Sequence, residues 1–149
     1  MFDNHKMMLP DSDLIHEHAY KYKRAMHEDV NVTSHLLNLL VSFHWRPLVD
    51  TQLMDTVRHW VDHPTPPTDV IVSAATHHML KIFGADYRLF EERLLQLRPL
   101  LNRLANTSRV IWIDQYPTID FFADNNATNA QIESNKIHRY NLIVRRVFK

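Results

Sequence analysis

Glycine is almost absent from this sequence, which has one glycine, Gly84, among 149 residues. Ordinary proteins use about 7% glycine, because turns with positive φ and backbone pressed against a phosphate usually need it. A glycine-rich phosphate loop and the G-x-S-x-G turn that presents a nucleophilic serine therefore cannot be built here. This shortage alone excludes several classes of enzyme.

Cysteine is missing altogether, which excludes a disulfide framework and thiolate chemistry. A charge excess is missing too, because 17 Lys and Arg balance 17 Asp and Glu. We therefore expect no nucleic-acid partner. No apolar run reaches the roughly 20 residues of a membrane helix, and the first ten residues lack an apolar signal core. We expect no membrane contact by this segment and no targeting signal within it, although its hydrophobic content of 45% is enough for one packed domain.

The stretch that organises the chain is 69–84, with the sequence DVIVSAATHHMLKIFG. Val70, Ile71 and Val72 follow a cluster of prolines and predict a buried strand. Small residues come next, at the carboxyl end of that strand, which is the edge where open α/β sheets bind ligands. We therefore predict that function lies near Thr76 and His77.

The rest of the pattern predicts alternating helices and strands. Apolar residues at steps of three and four predict amphipathic helices over 11–26, 50–62, 87–104 and 137–148. Within 87–104 we expect a kink or a new first turn at Pro99. Strands are predicted at 38–45, 70–74 and 110–113, and a loop at 30–35. This alternation predicts an α/β fold with three layers, α/β/α, around a short parallel sheet. Three short strands are few for a parallel sheet buried on both faces, so we expect the domain to be incomplete.

Two spacings of titratable residues resemble functional sites without completing them. Asp13 and His16 form a D-x-x-H pair, which some hydrolases use as acid and base, but no nucleophile motif accompanies it. His59 and His63 lie four apart like helical metal ligands, but Trp60 stands where a zincin has its glutamate. We expect neither pair to be functional, and we expect no metal site.

Four blocks of sequence, taken in order, resemble the lumenal domain of the Golgi sialate O-acetyltransferases: FHWRP, DVIVSAATHHM, LLNRLANTSRVIWIDQYP and SNKIHRYNLIVRRVF. These enzymes belong with fungal capsule O-acetylation proteins and are similar to plant cell-wall O-acetyltransferases and PC-esterases, all variants of the SGNH (GDSL-like) hydrolase fold. The resemblance covers residues 39–148, with 1–37 as a helical and loop segment before it. It implies that residues 1–149 are a partial SGNH-like acyltransferase domain.

The resemblance also implies a reaction, which is transfer of acetyl from acetyl-CoA to a hydroxyl of sialic acid or another glycan. In that family a GDS serine forms the acyl-enzyme, and a late D-x-x-H motif supplies its histidine and aspartate. This sequence has no GDS, and its D-x-x-H precedes the sheet, so we expect no catalytic residue, no bound cofactor and no activity in this chain alone. The positions that match the family's oxyanion and substrate contacts are Ala75, Thr76 and His77, with Gln115 as a further pocket candidate.

Localisation follows from the same resemblance, which implies a parent protein in the Golgi lumen and membrane with several membrane-spanning helices. Three sequons, at Asn31, Asn106 and Asn126, agree with passage through the secretory pathway. An alternative is a non-catalytic binding or regulatory module on the same fold, with Thr76, His77 and Gln115 lining the pocket. A second alternative is an unrelated metalloprotein that uses some of the 11 histidines.

Overall fold

The structure is a computed structural model that describes residues 11–15, 29–117 and 131–149. The chain divides into two compact units, Met1–Trp45 and Arg46–Lys149. The first is a small antiparallel sheet, and the second is a mixed α/β unit that contains the candidate site.

The first unit contains a three-stranded antiparallel sheet in the order β1-β2-β3. Its strands are β1 (Ser12–Ile15), β2 (Val30–Ser34) and β3 (Leu39–Phe43). Residues of β2 alternate between buried and half-buried, because a strand points successive side chains to opposite faces. All five residues of β3 are exposed.

Three predictions for this unit are wrong. Residues 12–15 are a strand rather than part of a helix, and the remainder of the predicted helix, 16–26, lies outside the described residues. Residues 30–34 are a strand rather than a loop, so the segment 1–37 is not simply helix and loop. The strand predicted at 38–45 is confirmed, but it pairs antiparallel with β2 instead of joining a parallel sheet. The reason is the four-residue connection between β2 and β3, which is far too short for a parallel crossover.

The second unit contains the predicted parallel pair, β4 (Asp69–Val72) and β5 (Arg109–Trp112), in the register Val70↔Val110. The helices are α1 (Thr51–Asp62), α2 (Tyr87–Leu104) and α3 (Ser134–Val147), and α2 connects the two strands. The positions of these elements agree with the sequence predictions, and the apolar stripe on both sides of Pro99 belongs to one helix, α2. The prediction that both strands are buried is wrong in part, because Ile71 and Ile111 are exposed.

Aspartate caps fix the starts of α1 and α2, whereas the first turn of α3 has no side-chain cap. The Asp50 carboxylate accepts the Leu53 N–H, and the Asp86 carboxylate accepts the Arg88 N–H, so each cap satisfies an otherwise unpaired donor. Two short 3-10 helices, Thr76–Met79 and Lys81–Phe83, lie between β4 and α2. The second ends at Gly84, which has φ +97° and so uses the single glycine where a left-handed conformation is required.

All three helices contribute to one hydrophobic core together with Val70 and Val72 of β4. The opposite face of the pair is apolar but open, with Ile71 64%, Ile111 38% and Ile113 38% exposed. The described residues therefore show a mixed α/β unit with helices packed on one face of a parallel pair. None of the described helices combines the length and hydrophobicity needed to cross a bilayer.

Candidate functional site

A hydrogen-bonded group of polar side chains lies at the carboxyl ends of β4 and β5. The Thr76 hydroxyl donates to Gln115 Oε1 at 2.8 Å, and Gln115 Nε2 donates to Ser73 Oγ. Ser73 Oγ in turn donates to the backbone oxygen of Ile113 at 3.2 Å. We name Ser73, Thr76 and Gln115 the strand-end cluster. It forms because parallel strands end at the same edge, which brings residues about 40 positions apart into contact.

Asn141 of α3 fixes the backbone of Gln115. Its Oδ1 accepts the Gln115 N–H at 3.0 Å, and its Nδ2 donates to the Gln115 carbonyl at 2.8 Å. The side chain thus satisfies both backbone hydrogen-bonding groups of Gln115, which lies three residues after β5. Since both backbone groups of Gln115 are held, its side chain points into the cluster from a fixed position.

The sequence candidates Thr76 and Gln115 therefore meet, whereas Ala75 and His77 take other positions. Ala75 is 2% exposed and belongs to the core, and its carbonyl accepts the His78 N–H at 3.0 Å, so it is not placed to face a ligand. The His77 ring is half-buried and lies 6.1 Å from the Phe83 ring, centroid to centroid.

His78, the next residue, has a structural role. Its Nε2 accepts the Val49 N–H at 2.8 Å, and its ring packs 4.8 Å from the ring of Phe90. Burial lowers the pKa of His78 to about 4, opposed by the Asp50 carboxylate and reinforced by Arg93 and His77. Because Nε2 already accepts a hydrogen bond from the backbone N–H of Val49, this ring is not available as a general base.

Ser73 is the one hydroxyl of the cluster that could be imagined as a nucleophile. Its hydroxyl donates a hydrogen bond to the Ile113 carbonyl, which cannot act as a general base. Its oxygen accepts a hydrogen bond from the neutral side-chain amide of Gln115. A serine needs an adjacent general base to attack an ester at a useful rate. The contacts of the cluster therefore suit hydrogen bonding to the hydroxyl and amide groups of a polar ligand and do not activate Ser73.

A groove of about 400 Å³ lies beside the cluster. Tyr116, 83% exposed, forms one wall, and the opposite wall comes from α3. The Arg145 guanidinium donates from Nε at 2.8 Å and from Nη2 at 2.6 Å to Asp114 Oδ2, so the groove contains a neutralised ion pair. Other lining residues are Gln115, Ser134, His138 and Asn141.

No family model matches the chain, and no solved structure matches it.

Sequence reasoning missed Asn141 and the α3 wall of the groove. A readable signal was present, because Asn141 lies four residues after buried Ile137 and next to buried Tyr140, on the apolar stripe of the helix. A polar residue on such a stripe needs a buried or half-buried partner, which here is the Gln115 backbone.

The remaining sequence candidates lie elsewhere. The His59 and His63 rings are 5.5 Å apart, and His63 Nδ1 contacts the backbone of Thr65. Within 11–15, 29–117 and 131–149, no group of three or more His, Asp or Glu side chains is arranged to hold a metal ion. Asn31 lies within β2, Asn106 is exposed after α2, and Asn126 and His16 fall outside the described residues.

Proposed function

We propose that this chain is part of an SGNH-like O-acetyltransferase domain, in which it supplies substrate contacts rather than the acyl-enzyme serine. The proposal rests chiefly on the strand-end cluster, because Thr76, which the sequence resemblance implies as a substrate contact, is hydrogen-bonded at 2.8 Å to the pocket candidate Gln115. Their position at the carboxyl end of a parallel pair is the usual ligand-binding edge of an open α/β sheet.

The open face of the β4–β5 pair supports the view that the domain has further parts. Parallel sheets are normally covered on both faces, yet Ile71 is 64% exposed. A second layer of helices, as in a three-layer SGNH-like fold, would cover this face. We propose that other segments of a parent protein supply that layer together with the nucleophile and base.

The chemistry of the site fits the hydroxyl and amide groups of a sugar. Hydroxyl and amide groups form the cluster, the exposed Tyr116 ring offers a stacking surface, and Arg145 is neutralised by Asp114. By resemblance, the substrate is a sialic acid or another glycan, the donor is acetyl-CoA, and the parent is a multi-pass protein of the Golgi. A non-catalytic binding module is the second candidate, favoured because, in the part of the chain that the structure describes, the Ser73 hydroxyl donates to a backbone carbonyl rather than to a general base.

A titration followed by ¹H–¹⁵N NMR tests the binding role. N-acetylneuraminic acid is added to the purified chain, with glucose as the comparison sugar. The proposal predicts concentration-dependent shifts of the Gln115 side-chain amide and the Thr76 and Asn141 resonances, and weaker shifts in Thr76→Val. Thr107→Val is the matched control, since its hydroxyl donates to the Leu104 carbonyl outside the cluster. No shifts at the cluster, or equal loss in both variants, would contradict the proposal.

A further inference from the structure

The outer strand of the first unit, β3, is unusually apolar and exposed. Leu39, Leu40 and Val41 are 40%, 60% and 41% exposed, and Phe43 is 38% exposed. By the alternation of a strand, Leu39, Val41 and Phe43 lie on one face, and Leu40 lies on the other. Both faces of an outermost strand are therefore available for contact, which soluble proteins usually avoid.

Two of the usual protections of an edge strand, charged residues and proline, are missing from the sequence of this hairpin. No Asp, Glu, Lys or Arg occurs from Val30 to Trp45, and no proline interrupts β3. Charged residues and prolines are the common means by which proteins keep sheet edges apart. In the described sheet, β3 has β2 as its neighbour on one side and stands at the end of the strand order.

The hairpin is also held rigidly at both of its ends. At the turn, the Asp11 carboxylate accepts the Leu36 N–H at 2.7 Å and the Ser34 hydroxyl. At the base, the Asp29 carboxylate accepts the Trp45 N–H at 2.9 Å and contacts His44 Nδ1 at 3.1 Å. A strand fixed in its extended form loses little further entropy when another strand pairs with it.

We propose that β3 pairs antiparallel with β3 of a second copy of this chain, about a two-fold axis at Val41. Such an axis pairs a strand with itself in antiparallel orientation, and a centre at Val41 overlaps all five residues. Leu39 then faces Phe43 of the other copy, an aliphatic–aromatic pair of the kind that stabilises sheets. Since the strand has no charge, self-pairing brings no like charges together. The result is a continuous six-stranded sheet.

Sedimentation equilibrium of the full chain, from about 1 μM to about 1 mM, tests the association. The proposal predicts a species of twice the 17.7 kDa chain mass. Val41→Lys should weaken association at least tenfold, because it places two ammonium groups opposite each other. Ile82→Lys, at a 75% exposed apolar residue of the second unit, should leave it unchanged. A monomer throughout this range would overturn the proposal, as would a monomer that instead binds phosphatidylcholine vesicles.

Cross-linking gives a test that does not depend on a charged substitution. The chain has no cysteine, so Val41→Cys introduces a single thiol at the axis, where directly opposite residues come within reach of a disulfide. Leu39→Cys is the matched control, because Leu39 has nearly the same exposure on the same face. Its two copies would be about 13 Å apart along the strands. Mild oxidation should link Val41→Cys and spare Leu39→Cys; equal linking, or faster linking at 39, would overturn the proposed register.

Discussion

The side chain of Asn141 satisfies both backbone groups of Gln115, accepting its N–H at 3.0 Å and donating to its carbonyl at 2.8 Å. One helix residue thus determines where the loop after β5 runs and where the Gln115 side chain lies. The strand-end cluster depends on this contact, because Gln115 is the member that joins Thr76 to Ser73.

Replacing Asn141 should therefore loosen the site as well as destabilise the unit. Asn141→Ala removes both hydrogen bonds and leaves the half-buried backbone N–H and carbonyl of Gln115 without their partner. We therefore expect a loss of about 1–3 kcal/mol in the free energy of unfolding. Asn102→Ala, at an exposed helical asparagine, should change it by less than about 0.5 kcal/mol. Urea denaturation measures both values. Faster exchange of the Gln115 amide hydrogen in Asn141→Ala would show the local effect, and unchanged exchange would refute it.

His78 should make stability dependent on pH below neutrality. Its pKa in the folded state is about 4, below the ordinary 6.5, so the unfolded chain takes up the proton first as the pH falls. The contribution of neutral His78 to the free energy of unfolding is complete above about pH 6.5. It is lost progressively as the pH falls towards 4, and the total loss is about 3 kcal/mol.

The comparison that isolates His78 is a stability–pH profile of His78→Gln. An amide at this position can still accept the Val49 N–H but does not titrate, so its profile should be flatter than wild type between pH 6.5 and 4. His59→Gln, at an exposed histidine, should keep the wild-type slope. Parallel profiles for wild type and His78→Gln would show that His78 does not titrate in this way.

Tyr140 joins the same buried region from α3. Its hydroxyl donates to the His78 carbonyl at 2.7 Å, and its ring lies 4.7 Å from Tyr87 and 4.8 Å from Phe90. Tyr140→Phe keeps the ring and removes the donor, so we expect a loss of about 1–2 kcal/mol by urea denaturation. Tyr116→Phe, at an 83% exposed ring, is the control and should be neutral.

Alkaline titration gives a second measurement of Tyr140. Burial raises the pKa of Tyr140 to about 12, and the nearby Tyr87 and Asp86 contribute to this rise by smaller amounts. Because the unfolded tyrosine ionises near 10, stability should fall as the pH rises from 10 towards 12. A wild-type profile that matches Tyr140→Phe over this range would count against the buried hydroxyl.

Substitution by threonine should have very different effects on stability at two neighbouring residues of β4. Val70 is 4% exposed against the helices, so Val70→Thr places a hydroxyl in the core and should cost about 1–3 kcal/mol. Ile71 is 64% exposed on the open face, so Ile71→Thr should change the free energy of unfolding by less than about 0.5 kcal/mol. Equal costs would mean that the second face is also covered in solution.

The helices and the parallel pair were predictable because their signals are long or strongly patterned. In α2, buried Phe90, Leu94, Leu97, Leu101 and Leu104 repeat at steps of three and four over 18 residues, so Pro99 did not obscure it. The run Val70–Val72 behind prolines similarly marked β4. In both segments most of the patterned apolar residues are buried, although Ile71 is 64% exposed.

The antiparallel sheet was harder to predict. In Ser12–Ile15, the pair Leu14 and Ile15 fits a helical stripe as well as a strand, and four residues are too few to distinguish the two periods. The alternation of Val30 and Val32 with polar residues was a strand signal that the turn-forming residues Asn31 and Ser34 obscured. Pairing direction depends on which strand lies adjacent in space, which periodicity does not encode.

For the site, residue types and strand ends were enough to place Thr76 and Gln115 at one edge. The core position of Ala75 and the contact from Asn141 could not be predicted, because they depend on how the 3-10 helix at 76–79 and α3 pack against the strands. Long-range side-chain contacts of this kind appear only once the chain is folded.

Acetate release from an O-acetylated N-acetylneuraminic acid tests the central claim most directly, namely that this chain belongs to an acyl-transfer domain but lacks its nucleophile and base. The ester is incubated with the purified chain, and free acetate is followed by ¹H NMR while the Gln115 side-chain amide is observed in the same sample. The account predicts a shifted Gln115 resonance and acetate release no faster than in buffer alone. Turnover at an enzymatic rate that Ser73→Ala abolishes would contradict it.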